Sequence, residues 1–133
     1  MSKIVVNYPG LAAGEKPMGP APLSPALDTG SLVFISGQVA IDPMTGKTVG
    51  DDIETQTRQT LTNLKSLVEA AGLTMADIVK ATVFVTDVAN FSRMNTVYRE
   101  FFSEPYPTRS TIGITLANPD LLVEVEAIAL RRS

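Results

Sequence analysis

The chain has 133 residues, 44% of them hydrophobic and 19% charged, which is typical of one globular domain with its own core. It contains no cysteine and no histidine, which excludes disulfides, thiolate nucleophiles, serine-histidine-aspartate triads and nearly all zinc sites. The net charge of -3 argues against non-specific binding to nucleic acid. No apolar run resembles a signal peptide or a membrane span, so we expect a cytoplasmic protein without a membrane partner.

The N-terminal third predicts short strands around an irregular loop. Residues 3–7 are β-branched and apolar at their centre and predict a strand, and a loop rich in Pro, Gly and Ala follows up to Pro25. Leu27 is assigned to a short strand, and the continuous apolar run 32–35 predicts a central strand. The sequence Ser36-Gly37-Gln38 ends or bends that strand.

The middle of the chain carries the strongest helical signal. Apolar residues recur at helical spacing between Leu61 and Ala71, acidic residues stand at the start, and Gly72 follows as a C-terminal cap. These features predict a helix over 52–71. A capped turn is predicted over 74–77, because Thr and Asp there have the spacing of a capping box.

A strand and a second helix follow. The β-branched and aromatic run 78–86 predicts a strand that Asp87 stops. Residues 88–102 predict a helix whose apolar residues form one stripe, which we assign to the core. The members of this stripe are Phe91, Met94, Tyr98 and Phe101.

The C-terminal part predicts a hairpin, with strands over 109–116 and 121–130 flanking the turn sequence Ala117-Asn118-Pro119-Asp120. The whole element order predicts one α+β domain over residues 1–133. Its sheet is expected to be mainly antiparallel, with two helices on one face.

The predicted hairpin also predicts a polar face. Strand alternation places Arg109 and Thr111 on one face of the first strand, and Ile112 on the other, which we take as the core face. A four-residue turn then sets position 111 opposite Glu126 and position 113 opposite Glu124, so Arg109 and both glutamates share a face, with Glu126 nearer to Arg109. From the residues alone, this is either a cross-strand ion pair or a half-buried site at an oligomer interface.

Two segments resemble the C-terminal signature of the RidA (YjgF) family: residues 107–112, Pro-Thr-Arg-Ser-Thr-Ile, and residues 123–129, Val-Glu-Val-Glu-Ala-Ile-Ala. The likeness extends over most of residues 32–131, through the segments 34–38, 56–61, 68–73 and 80–87. It implies a chorismate-mutase-like fold, a homotrimer, and sites that lie in clefts between subunits.

The resemblance also implies roles for individual residues. The residue matching Arg109 binds the substrate carboxylate, and the one matching Glu124 positions or activates the attacking water. Ser36, the backbone of Gly37, and Asn95 are expected to line the cleft.

This chain departs from the family pattern in three places. Leu23 stands where the family has the tyrosine of a Gly-Pro-Tyr element, and Thr111 stands where a cysteine is common. The usual Ala-Arg-Leu after the signature is here Thr-Leu-Ala, at 115–117. These changes are expected to alter the shape and polarity of the substrate-binding pocket.

The resemblance implies a hydrolytic deaminase that needs neither a metal nor pyridoxal phosphate. Its substrate is expected to be 2-iminopropanoate, 2-iminobutanoate, or a larger enamine acid of the aminomuconate type. One alternative is a non-catalytic module that binds small carboxylates, which gains support if Glu124 points away from Arg109. The ribonuclease activity sometimes attached to the family is disfavoured by the acidic charge and by the low aromatic content of 6%.

Overall fold

The computed structural model describes residues 3–16 and 19–132. Residues 17 and 18 of the predicted loop, and the two ends of the domain predicted over 1–133, lie outside the described residues. One six-stranded sheet with the order β1-β2-β3-β6-β4-β5 organises the fold. The elements are β1 (Ile4–Val6), β2 (Ala26–Asp28), β3 (Leu32–Val39), α1 (Ile53–Ala70), β4 (Ile78–Val85), α2 (Phe91–Phe101), β5 (Thr108–Gly113) and β6 (Val123–Leu130), with 3₁₀ turns at Met75–Asp77 and Val88–Asn90.

The predicted helices are confirmed, with local adjustments at their ends. Helix α1 begins after Asp52, whose side chain accepts the Thr55 N–H at 2.9 Å, and Gly72 follows it with φ +82°. The predicted capped turn forms a capping box between Thr74 and Asp77. Helix α2 begins three residues later than predicted, because a 3₁₀ turn at Val88–Asn90 comes first.

The sheet has the predicted character. Four of its pairings are antiparallel, and β4 with β5 is parallel. Strand β3 continues through Ser36 and Gly37 to Val39, with a bulge between Ile35 and Gln38, so the sequence here bends the strand without ending it. Helix α1 packs against β3 and β6, and α2 packs beside α1 in the same hydrophobic cluster.

The predicted C-terminal hairpin is wrong. Strand β6 lies between β3 and β4, while β5 pairs with β4 at the edge of the sheet. The segment after β5 crosses the end of β4, where the Ile114 N–H donates to Val85 O and the Thr86 N–H donates to Leu122 O. Strand β6 is therefore central in the sheet, and its inward residues Val123, Val125, Ala127 and Ala129 are all buried.

The predicted register and faces of β5 are therefore wrong as well. Arg109 lies beside Ala81 and Thr111 beside Val83, so both point to the face that the helices cover. Ile112, assigned to the core, points to the opposite face and is 44% exposed. The sequence could not reveal this, because residues of an edge strand alternate in the same way whichever strand is the neighbour.

The face of the sheet opposite the helices is open within the described part of the chain and carries both apolar and charged side chains. Phe34, Ile112 and Leu130 lie on it and are 38–44% exposed. Glu124 and Glu126 point to the same face from β6. None of the described helices is long and apolar enough to cross a membrane.

Candidate functional site

The guanidinium of Arg109 lies against two aromatic rings of α2. Its Cζ is 4.7 Å from the ring centre of Tyr98 and 5.7 Å from that of Phe91. These distances are typical of cation-π contacts, which fix the direction of the side chain without using its N–H groups. Arg109, Asn95 and Tyr106 line a pocket of about 250 Å³ on this side of the molecule.

Three buried polar atoms near Arg109 have no hydrogen-bond partner in the described part of the chain. They are the Oδ1 of Asn95, the hydroxyl of Tyr98 and the Oγ1 of Thr111. Burial raises the pKa of Tyr98, and the charge of Arg109 opposes this shift. Buried polar groups in native proteins are normally paired, so this cluster is suited to a polar ligand or a second protein surface.

Glu124 lies in a second pocket, of about 360 Å³, at the end of β3. Leu23, Ser36 and Gly37 line it together with Glu124. A Cβ on Gly37 would come within 2.7 Å of the Glu124 Cδ, so the carboxylate occupies the space that a side chain would fill. The bulge in β3 thus brings the backbone of Gly37 directly against the carboxylate of Glu124.

The environment of Glu124 favours its protonated form more than water does. Partial burial raises the pKa of Glu124, and the neighbouring charge of Glu126 raises it further. Within residues 3–16 and 19–132, no hydrogen bond or ion pair holds its carboxylate. A carboxylate with a raised pKa and a free oxygen can take up and return a proton.

The hydroxyl of Ser36 is already engaged within the fold. It donates to Ser24 O at 2.6 Å, and Gln38, two residues further along, donates to Ser36 O and accepts from the Tyr8 hydroxyl. These contacts join the N-terminal segment to the bulge that holds Gly37. Ser36 therefore shapes the pocket beside Glu124, in addition to lining it.

The structure places the predicted site residues in two groups within one chain. Leu23, Ser36, Gly37 and Glu124 line one pocket, whereas Arg109 and Asn95 line the other. Thr111 lies two residues from Arg109 on the helix-covered face, and its hydroxyl belongs to the unpaired cluster.

Arg109 and Glu124 point to opposite faces of the sheet, so the expected shared face and the cross-strand ion pair are both wrong. Glu126 points to the same face as Glu124, so it too points away from Arg109. The ion pairs of the described residues lie elsewhere, at Arg58–Glu100, Arg93–Glu54 and Arg131–Asp28.

The contacts of Phe91 and Tyr98 with Arg109 were not predicted from the sequence. The core assignment is confirmed for Tyr98, which is 5% exposed, and wrong for Phe91, which is 41% exposed with its ring facing the guanidinium. The sequence did contain a signal for these contacts. Phe91 and Tyr98 lie four residues before and three residues after Asn95, so a helix places all three on one face.

The chain is similar to known proteins over nearly its whole length. The family model described as endoribonuclease L-PSP matches residues 14–131. A 2-iminobutanoate/2-iminopropanoate deaminase of Salmonella typhimurium is 43% identical over 92% of this chain and 97% of its own. A RutC family protein of Pyrococcus horikoshii is 45% identical over 87% of this chain and 90% of its own. The crystal structure of Escherichia coli TdcF with bound serine superimposes with a TM-score of 0.81 at 38% identity, over 97% of this chain and 99% of that one.

The fold and these similarities define the class of protein: a small α+β domain with two helices packed on one face of a six-stranded sheet. The chain belongs to the RidA (YjgF) family. The resemblance read from the C-terminal signature is thereby confirmed.

Proposed function

We propose that this chain hydrolyses a small imine or enamine carboxylic acid, releasing ammonia and a 2-oxo acid. The observation that carries the proposal is the pair of pockets. In one, the rings of α2 orient the guanidinium of Arg109 so that it can bind an anion, and in the other a half-buried Glu124 lines the open volume. The substrate class is that of the similar Salmonella protein, which is named for 2-iminobutanoate and 2-iminopropanoate.

Arg109 is assigned to the substrate carboxylate. Its planar guanidinium can donate two parallel hydrogen bonds to a carboxylate, and the rings of Tyr98 and Phe91 hold it from the side. Asn95 and Thr111 add unpaired polar atoms next to it. The TdcF structure with bound serine supports a small carboxylate ligand, because serine carries this group.

Glu124 is assigned to the attacking water. In the proposed reaction the water oxygen bonds to the imine carbon, while Glu124 takes one proton from the water and returns it to the nitrogen. Glu124 then takes the proton of the resulting hydroxyl group and passes it to the nitrogen as the C–N bond breaks, so that a C=O bond forms and ammonia leaves. The raised pKa of Glu124 suits this use, because a stronger base removes the water proton more readily.

The two groups of residues act together in a cleft between two copies of the chain. Because Arg109 and Glu124 point to opposite faces of one sheet, a single chain cannot direct both at one small molecule. Exposed apolar side chains on the open face favour cover by another surface, and a neighbouring copy whose β5 edge meets this face would bring a second Arg109 near Glu124. A closed ring of three copies, the proposed homotrimer, forms three such clefts.

The direct test is ammonia release from freshly generated 2-iminobutanoate. We expect wild type to accelerate release, and Arg109→Ala and Glu124→Gln each to lower kcat/KM by about 100-fold or more, because each removes one half of the site. Arg58→Ala serves as the matched control, since it removes an exposed arginine that pairs with Glu100 away from both pockets. If ammonia is released no faster than in buffer alone, the proposed deaminase function is wrong.

A non-catalytic carboxylate-binding module is the second candidate. The placement of Arg109 and Glu124 on opposite faces favours it, if the chain does not assemble as proposed. A binding module would bind 2-oxobutanoate through Arg109, would not accelerate ammonia release, and would be indifferent to Glu124→Gln. Calorimetric titration of the same variants therefore separates the two candidates.

A further inference from the structure

The pocket beside Glu124 is larger than a methyl or ethyl side chain needs. Its volume is about 360 Å³, and aliphatic residues form much of its wall. Two of them, Val39 and Ile41, follow the bulge of β3, and two others, Leu116 and Leu121, flank the loop between β5 and β6. A substrate as small as 2-iminopropanoate would leave most of this apolar surface in contact with water.

Leu23 adds an aliphatic side chain at the rim of the same pocket. It is 55% exposed, so part of its surface is free to contact a substrate. Leucine has no hydroxyl or amide with which to bind a polar group. The contact that it offers to a ligand is therefore a hydrophobic one.

The charges around the pocket disfavour a second carboxylate on the substrate. Glu124 and Glu15 both line it, and Glu15 already accepts the N–H of Ala12 at 2.8 Å. Lys16 is the lysine of this lining, and its ammonium donates to Ala21 O at 3.2 Å. A dicarboxylate of the aminomuconate type would bring its second charge toward two carboxylates, which costs binding energy.

From this shape and charge we infer that the site selects monocarboxylic 2-imino acids with an aliphatic side chain of about four carbons. The inference rests on the proposed deaminase function and narrows its substrate class. It assigns Leu23 as a specificity-determining residue, in contact with the substrate side chain.

The size of the effect follows from hydrophobic transfer. Each methylene that moves from water into an apolar site contributes about a fourfold gain in kcat/KM. The imine derived from leucine has two more side-chain carbons than 2-iminobutanoate. We therefore expect it to be preferred by about 15-fold over 2-iminobutanoate.

The test compares imines generated in the assay by an amino-acid oxidase from alanine, 2-aminobutyrate, leucine and glutamate. We expect kcat/KM to rise from the alanine to the leucine product and to be lowest for the glutamate product, which carries the second carboxylate. Leu23→Asn, a change of similar size, should reduce the ratio of the leucine to the 2-aminobutyrate product several-fold. Met44→Asn is the matched control, because Met44 is 56% exposed in a surface turn and should leave this ratio unchanged.

Each outcome separates the inference from the function on which it rests. Acceleration that is greatest for the alanine or glutamate product would overturn the substrate preference and leave the deaminase function standing. An unchanged ratio in Leu23→Asn would remove Leu23 as its determinant. Acceleration of none of the imines would contradict the proposed function itself.

Discussion

At the scale of single residues, Gly37 leaves the space that the side chain of Glu124 needs. The Glu124 side chain fills the position where a Cβ at residue 37 would lie. Glycine at 37 is therefore needed for the position of the carboxylate, whereas the backbone there has no positive φ that would itself demand glycine.

We predict that Gly37→Ala lowers kcat/KM for imine hydrolysis by about 100-fold while the melting temperature stays nearly constant. The added methyl displaces the end of a flexible glutamate, which is cheap for the fold, but it moves the carboxylate away from its position in the pocket. The measurements are kcat/KM and thermal unfolding of the same preparation.

Gly14→Ala is the control for this substitution, because a Cβ there meets nothing within 4 Å. If Gly37→Ala keeps full activity, then the position of the Glu124 carboxylate against β3 has no part in the reaction. If it unfolds the protein, the assumption that the glutamate moves is wrong.

The family resemblance predicted which residues form the proposed site, whereas only the structure shows which residues surround them. Arg109 and Glu124 were named from the sequence signature, but their aromatic and glycine neighbours were not recognised as part of their surroundings. A cation-π contact between α2 and β5 depends on how two distant segments pack, and no local pattern encodes that distance.

At the scale of elements, helix α1 holds the loops of the Glu124 pocket through a buried amide. Gln56 Nε2 donates to Gly50 O at 3.1 Å and to Asp120 O at 2.7 Å, and its Oε1 accepts from the Leu122 N–H at 2.8 Å. Asn63 lies about two turns further along the same helix and donates to Val39 O and Ile41 O. The buried polar side chains of α1 thus replace the missing backbone partners of these loops.

Gln56→Ala is expected to lower the free energy of unfolding by about 3 kcal/mol, since it leaves three backbone groups unpaired and opens a cavity. Gln59→Ala on the same helix should cost less than about 1 kcal/mol, because Gln59 is half-buried and bonds only to Asn63 in the described structure. Urea unfolding followed by circular dichroism measures both. Equal losses in the two variants would show that the Gln56 contacts do not stabilise the loops.

The elements themselves could be predicted almost completely from the sequence, but their pairing could not. Helical spacing and capping residues predicted α1 within one residue at each end. The turn Ala117-Asn118-Pro119-Asp120 indicated a reversal of the chain, which occurs, yet the chain reverses around the end of β4. The alternating residues of 123–130 predict a strand with one buried face but do not show whether that strand is central or at an edge.

At the scale of the whole molecule, the separation of Arg109 from Glu124 means that the proposed activity depends on the proposed homotrimer. Neither face of one chain carries both groups. Two inactive variants can therefore complement each other when they share an oligomer.

We predict that Arg109→Ala and Glu124→Gln chains, refolded together in equal amounts, recover about a quarter of wild-type activity, because a quarter of randomly formed clefts contain both intact groups. Different affinity tags on the two chains isolate the mixed trimers, in which one cleft in three has both groups and the expected recovery is therefore about a third. Each variant refolded alone provides the baseline. Mixed oligomers without recovered activity would contradict the cleft between two copies.

The central place of β6 has a consequence for how the protein is made. Strands β1–β3 and β4–β5 form two separate parts of the sheet, and β6 joins them by pairing with β3 and β4. Because β6 begins at Val123, all the other described strands are synthesised before it, and until it forms β3 and β4 each lack a neighbour on one side. A chain cut short before residue 123 is therefore expected to expose two strand edges that favour aggregation.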